Sequence, residues 1–152
     1  GHGDNYSSDG SQHNLQLYVR PSDSRVLQMV HDLDAFFDAT RPLAANSDLP
    51  LSFVQALLAM ARNGRTAVKL SGWQKFSSQP PPYDDTRPFV DALLDTFTLD
   101  ACLWASDWPF LKAPQRLDVG PLLRHVERLL PLAADRRQLF WDTPRRWLGF
   151  DG

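Results

Sequence analysis

Short apolar runs, each closed by a turn residue and followed by a stretch with helical spacing, constrain this chain more than any other feature. Leu15–Val19, LQLYV, alternates and is β-prone, and Arg20-Pro21 closes it. Thr66–Leu70, TAVKL, is closed by Ser71-Gly72, and Ala101–Ser106, ACLWAS, runs into Asp107-Trp108-Pro109. Ala35–Ala39, AFFDA, is a further candidate strand, or else the continuation of the helix before it. Between the runs lie helical patterns. Val26, Leu27, Val30 and Leu33 share one face of a helix that Ser22 or Asp23 would cap and that ends near Asp34. Leu51–Asn63 carries Phe53, Val54, Leu57, Leu58 and Ala61 as its stripe and stops at Gly64. A third helix begins at Asp85 or Thr86, tolerates Pro88 in its first turn, and buries Phe89, Val90, Leu93, Leu94 and Phe97. Leu122–Leu130 and Ala133–Trp141 are two more, with a last turn opened by Thr143-Pro144. Strand and helix alternate with short connections, which predicts an α/β fold of parallel strands with right-handed crossovers.

The chain has 152 residues, enough for one domain, and 43% of them are hydrophobic, which excludes a disordered chain. A formal charge of −2 gives no footing for nucleic acid or an acidic membrane surface. One cysteine, Cys102, excludes an intrachain disulfide and a cysteine zinc site, and its apolar setting makes it a core residue. No apolar stretch reaches the roughly 20 residues of a membrane span, and no signal-peptide pattern is present. The expected setting is therefore soluble, reducing and cytoplasmic. Gly1–Asn14 has almost no apolar content and reads as a flexible lead before a domain over 15–150.

Asp107 is the leading candidate for chemistry. Pro109 removes a backbone donor and pushes Trp108 out of the helical region, so the strand must end there. Asp107 thus falls at the carboxyl end of a buried parallel strand, where α/β enzymes place their sites. The alternative is an aspartate that only caps its loop. Trp73–Asp85 is a long loop stiffened by Pro80, Pro81 and Pro82. Trp73 and Trp108 each follow a strand end, and each either lines a pocket or packs. Trp104 belongs to the core, and the Arg136-Arg137 and Arg145-Arg146 pairs read as solvated helix faces.

Four blocks, Val68-Lys69-Leu70-Ser71-Gly72, Pro82-Tyr83-Asp84-Asp85, Trp104-Ala105-Ser106-Asp107-Trp108-Pro109 and Asp142-Thr143-Pro144 with Leu148-Gly149-Phe150, resemble the carboxy-terminal half of the amidohydrolase-2 family. That family includes the 2-pyrone-4,6-dicarboxylate lactonases. The resemblance implies a (β/α)8 barrel, with the strands here as its last four. It implies a hydrolase acting on a lactone, amide or similar small carboxylate-bearing molecule, with Asp107 as the acid/base group that activates water. By the same resemblance Lys75 and Tyr18 stand where relatives place substrate contacts. The family's D-x-H-x-H histidine pair has no counterpart here, and the histidine of its sixth strand falls on Ala39. A zinc or manganese ion is therefore a family feature whose ligand set is incomplete in this chain. Half a barrel leaves open edges, so self-association or pairing with an amino-terminal half is expected. The alternative to a hydrolase is a catalytically silent half-barrel or assembly module.

Overall fold

The computed structural model describes residues 15–19, 23, 25–30, 57–110 and 116–149. The lead at 1–14, the second candidate strand at 35–39 and Ala39 itself lie outside the described residues. Among the described residues four strands form one sheet in the order β1 (Leu15–Val19), β2 (Val26–Val30), β3 (Thr66–Leu70) and β4 (Cys102–Trp104). β2, β3 and β4 run parallel, with Val30 opposite Val68 and Val68 opposite Cys102.

Two expectations are corrected at the amino-terminal side. Val26–Val30 is a strand where the spacing predicted a helix over 22–34, and β1 runs antiparallel to it, with Tyr18 opposite Leu27 and Val19 opposite Val26. The run VLQMV is apolar at positions that suit either period, and pairing on both sides, with β1 and β3, decides it. The Asp23 carboxylate accepts a hydrogen bond from the Arg25 backbone N–H at 3.1 Å. This Asx-type turn closes a hairpin where a helix cap was expected.

The second half follows its sequence more closely. Helical residues 57–60 pass into the turn Ala61–Asn63, which stops at Gly64 with φ 63°. Helix α1 (Trp73–Phe76) takes up the start of what the sequence suggested was all loop. Helix α2 (Arg87–Phe97) has Pro88 in its first turn, as expected, and buries Phe89, Val90, Leu93 and Phe97, while Leu94 stays half-buried. Helix α3 (Val119–Leu129) is followed by α4 (Ala133–Arg137), a π-helical turn Gln138–Asp142, and α5 (Thr143–Leu148). β4 is shorter than its apolar run. Leu99–Ala101 forms a 3-10 turn, with the Asp100 N–H bonded to Thr98 Oγ1, and Trp104 pairs with the last residue of β3. Beyond that point Ser71-Gly72 turns away, and residues 105–107 have no ladder partner in β3.

Alternation along β3 and β4 splits the buried side chains between two faces. Val68, Leu70 and Cys102 join Phe89, Leu93, Leu122 and Val126 in the main core. Ala67 and Leu103 face the other way and are covered by Trp147. Each large apolar side chain so buried contributes about 1.5–3 kcal/mol. The helical carboxy-terminal region is tied to the start of β4 by polar contacts. Trp147 Nε1 donates to the Asp100 carbonyl at 2.7 Å, and Thr143 Oγ1 donates to the Leu99 carbonyl at 2.6 Å.

Candidate active site

The carboxyl ends of β3 and β4 lie side by side, and the residues that leave them meet. Ser71 is buried, and Gly72 takes φ 74°, a left-handed conformation that a side chain would strain. The chain then folds straight into α1, whose Trp73 and Phe76 enter the core and whose Gln74 and Lys75 turn toward β4. On the other side Asp107 also sits at positive φ, 63°, which aspartate tolerates better than most residues. Its carbonyl accepts from the Phe110 N–H at 2.8 Å, and Ser106 Oγ accepts from the Trp108 N–H at 3.2 Å.

The Asp107 carboxylate is held by two donors from α1. Gln74 Nε2 donates to Oδ2 at 2.6 Å. Lys75 Nζ lies 3.2 Å from Oδ2 and 3.4 Å from Oδ1. The side chains of Lys75 and Asp107 are only 16% and 15% exposed, so the pair is mostly out of water and its bonds are charge-assisted. Two N–H donors from one short helix orient this carboxylate. It can accept a proton from a water or a substrate group that approaches from outside.

The structure brings Asp107 and Lys75 together and sets Trp108 beside them, 75% exposed. It does not bring Trp73 to them as open surface. Trp73 is 1% exposed and packs edge-on against His125, with ring centroids 5.0 Å apart, so it supports α1 from below rather than lining a pocket. Tyr18 pairs with Leu27, one residue before the Gln28–Thr66 register, and so lies level with the start of β3. Asp107 lies past the end of β3, more than about 13 Å away along the strands. The hairpin direction produces this: the end of β1 meets the beginning of β2.

Gln74 and His125 are the residues that sequence reasoning missed. Gln74 carried a weak signal, as the polar neighbour of Lys75 directly after VKLSG. His125 is 1% exposed and wedged between Trp73 and Tyr83, whose ring centroid is 5.8 Å from its own. The Thr86 hydroxyl gives its one proton to the Tyr83 carbonyl at 2.7 Å. At the 3.3 Å contact between Thr86 Oγ1 and His125 Nε2, the histidine is therefore the donor. Nδ1 is then the bare nitrogen, buried with no hydrogen-bond partner among the described residues. Burial pushes the His125 imidazole down to about 4, Asp84 and Arg128 adding opposed smaller effects. Asp85 closes the following loop by accepting from Ser77 Oγ at 2.5 Å and from the Ser78 N–H at 2.7 Å. Burial works to raise its carboxyl, but these bonds outweigh it and hold it below the usual aspartate value.

Among the described residues the groups around Asp107 do not fit a cation, because Gln74 Nε2 and Lys75 Nζ both present protons. Among the described residues no three His, Cys, Asp or Glu side chains gather in a group able to hold a metal ion. A cavity of about 380 Å³ lies at the opposite end of the sheet, by Thr66 and Ala101, where Arg146 is already paired with Asp100 at 3.1 Å. Among the described residues no helix is long and apolar enough to cross a membrane.

A family model described as amidohydrolase matches residues 22–150. A 4-sulfomuconolactone hydrolase of Rhizobium radiobacter is 34% identical over 116 residues, which cover 74% of this chain and 38% of that protein. A second 4-sulfomuconolactone hydrolase, from Hydrogenophaga intermedia, is 28% identical over 62% of this chain and 32% of its own length. Among solved structures, a candidate 2-pyrone-4,6-dicarboxylic acid hydrolase from Pseudomonas putida superposes with a TM-score of 0.63 at 26% identity, over 80% of this chain and 42% of that one. An amidohydrolase from Burkholderia multivorans with bound zinc gives a TM-score of 0.57 at 25% identity, over 78% of this chain and 45% of that one. The chain thus spans less than half the length of each of these relatives.

Proposed function

The chain belongs to the amidohydrolase family, whose model it matches over residues 22–150, and on that premise we propose that the protein hydrolyses the ring ester of a small anionic lactone, with Asp107 as the base. The observation that carries the reading is the Asp107 carboxylate at the end of β4, gripped by Gln74 and Lys75 from the end of β3. Relatives named as hydrolases of 4-sulfomuconolactone and of 2-pyrone-4,6-dicarboxylic acid supply the substrate class. Both names describe a ring ester that carries an anionic group. Lys75, within reach of Asp107, suits that anion or the oxygen charge that develops on the attacked carbonyl. Trp108 offers an exposed flat ring beside the site.

The step balances without an external reagent. Asp107 takes one proton from a water, and the water oxygen bonds to the lactone carbonyl carbon. The ring C–O bond then breaks, and the proton on Asp107 passes to the departing oxygen. The products are one opened acid and the hydroxyl, or its keto form, that the ring oxygen leaves behind.

For the architecture, the parallel strands β2–β4 with their helices are read as part of the carboxy-terminal half of a (β/α)8 barrel. Its edges would be completed by further strands of a longer protein or by a second copy. This reading also accounts for the share of the relatives that the chain spans. The activity test is acid release in a pH-stat from 4-sulfomuconolactone and 2-pyrone-4,6-dicarboxylate, with the molar mass of the same sample fixed by light scattering. Saturable release from at least one lactone is expected. Release no faster than in buffer, from both, would overturn the lactonase reading and leave a silent module.

A further inference from the structure

We infer that Gln74 is a positioning residue for Asp107, a role that rests on the reading of Asp107 as the base. Its side chain is only 7% exposed, and its Nε2 lies 2.6 Å from Asp107 Oδ2. A carboxylate oxygen only accepts, so the amide nitrogen must face Asp107 and the amide oxygen must face away. That oxygen, Oε1, is buried with no hydrogen-bond partner among the described residues.

An unpaired amide oxygen in a dry setting is unfavourable, and an apolar side chain of similar length would avoid it. What offsets it is the charge-assisted bond from the other end of the same amide. Gln74 is therefore placed for Asp107 and not for packing. Its backbone is fixed independently, since Trp73 on one side and Phe76 two residues on are anchored in the core. Gln74 thus delivers a donor to one oxygen of Asp107 from a rigid base, which sets the plane of the carboxylate. The charged group that faces Asp107 from the same helix is Lys75, a point charge that neutralises the carboxylate, whereas the planar amide of Gln74 meets one oxygen directionally.

Gln74→Met removes the donor and keeps the bulk. Gln74→Glu keeps the shape and sets a second carboxylate against Asp107, so that the two must share a proton. The first readout needs no substrate: an NMR titration of the Asp107 carboxyl carbon in the full chain. Loss of a hydrogen bond to the charged form raises its midpoint by about one pH unit in Gln74→Met. The rise is larger in Gln74→Glu. In an active preparation, Gln74→Met lowers kcat about 100-fold with KM nearly unchanged, because misplacement affects the reacting geometry more than binding. The acid limb of its pH–rate profile moves up with the NMR midpoint.

An Asp107 midpoint that is the same in wild type and Gln74→Met overturns the inference, whatever the activity. Should Gln74→Met fail to fold, Gln74→Asn, whose amide is one methylene too short to reach Asp107, gives the same comparison. If the wild-type chain hydrolyses no lactone but the midpoint still moves, the proposed function has failed while the positioning of Asp107 by Gln74 stands.

Discussion

Acidification from neutral pH is expected to weaken this protein through His125. In the folded chain the imidazole is neutral, with Nε2–H committed to Thr86 and Nδ1 buried with no partner among the described residues, and burial holds it at about 4 against an ordinary value of 6.5. Above pH 6.5 the ring is neutral whether the chain is folded or not, and it adds no pH dependence. Between pH 6.5 and about 4 the unfolded chain takes up a proton that the folded chain refuses. Stability then falls as pH falls, by about 1.4 kcal/mol per unit. Over this window the loss is about 3 kcal/mol, a large part of the roughly 5–15 kcal/mol of an ordinary domain. Below about 4 the folded ring charges as well and its slope ends. Asp85 acts in a different window. Its carboxyl is held below 3.8, so its contribution is intact above that value and is lost only as pH falls further. The assay is urea unfolding followed by tryptophan fluorescence at pH 7, 6, 5 and 4.5, on wild type and His125→Phe at one protein concentration. The phenylalanine variant keeps an aromatic wedge and cannot take a proton, so its stability should be flatter by most of that loss. Equal losses in the two proteins between pH 7 and 4.5 would refute the reasoning.

Trp108→Ala should leave unfolding free energy within about 0.5 kcal/mol, because the ring packs against little, while raising KM for the lactone; an unchanged KM would remove Trp108 from the site. Cys102 is buried, and its thiol is pushed up to about 12 by that burial. Iodoacetamide at pH 8 should therefore spare it in the folded protein and label it in urea, as mass spectrometry reports. Labelling at equal rates in both states would contradict its place in the core.

The two tryptophans that follow strand ends show how far local sequence reaches. Trp73 and Trp108 stand in like positions after TAVKL and ACLWAS, yet one is 1% exposed and the other 75%. Gly72 at positive φ folds the chain back so that Trp73 starts a helical turn against the core, whereas Trp108 follows a left-handed Asp107 and precedes proline. Neither turn is visible in hydrophobic periodicity. β3 and α2 were readable because their apolar spacing matches one period, and β4 was readable as a strand but not in its end, which falls at Trp104 where β3 turns away and not at Pro109. Val26–Val30 was not, because five apolar-rich residues satisfy both periods and only its two neighbouring strands choose between them. Asp107 could be found from its place before Trp108-Pro109. Gln74 carried only the weak signal of its place beside Lys75, since its meaning lies in a contact across 33 residues of chain.

The rate of lactone opening by wild type and by Asp107→Asn, measured side by side in the pH-stat on samples with matching circular dichroism, tests the central claim most directly. Asparagine keeps the shape and cannot take the proton of water, so the rate should fall by about 100-fold or more. A variant that retained a third or more of the wild-type rate would show that Asp107 is held in place by Gln74 and Lys75 for some other purpose.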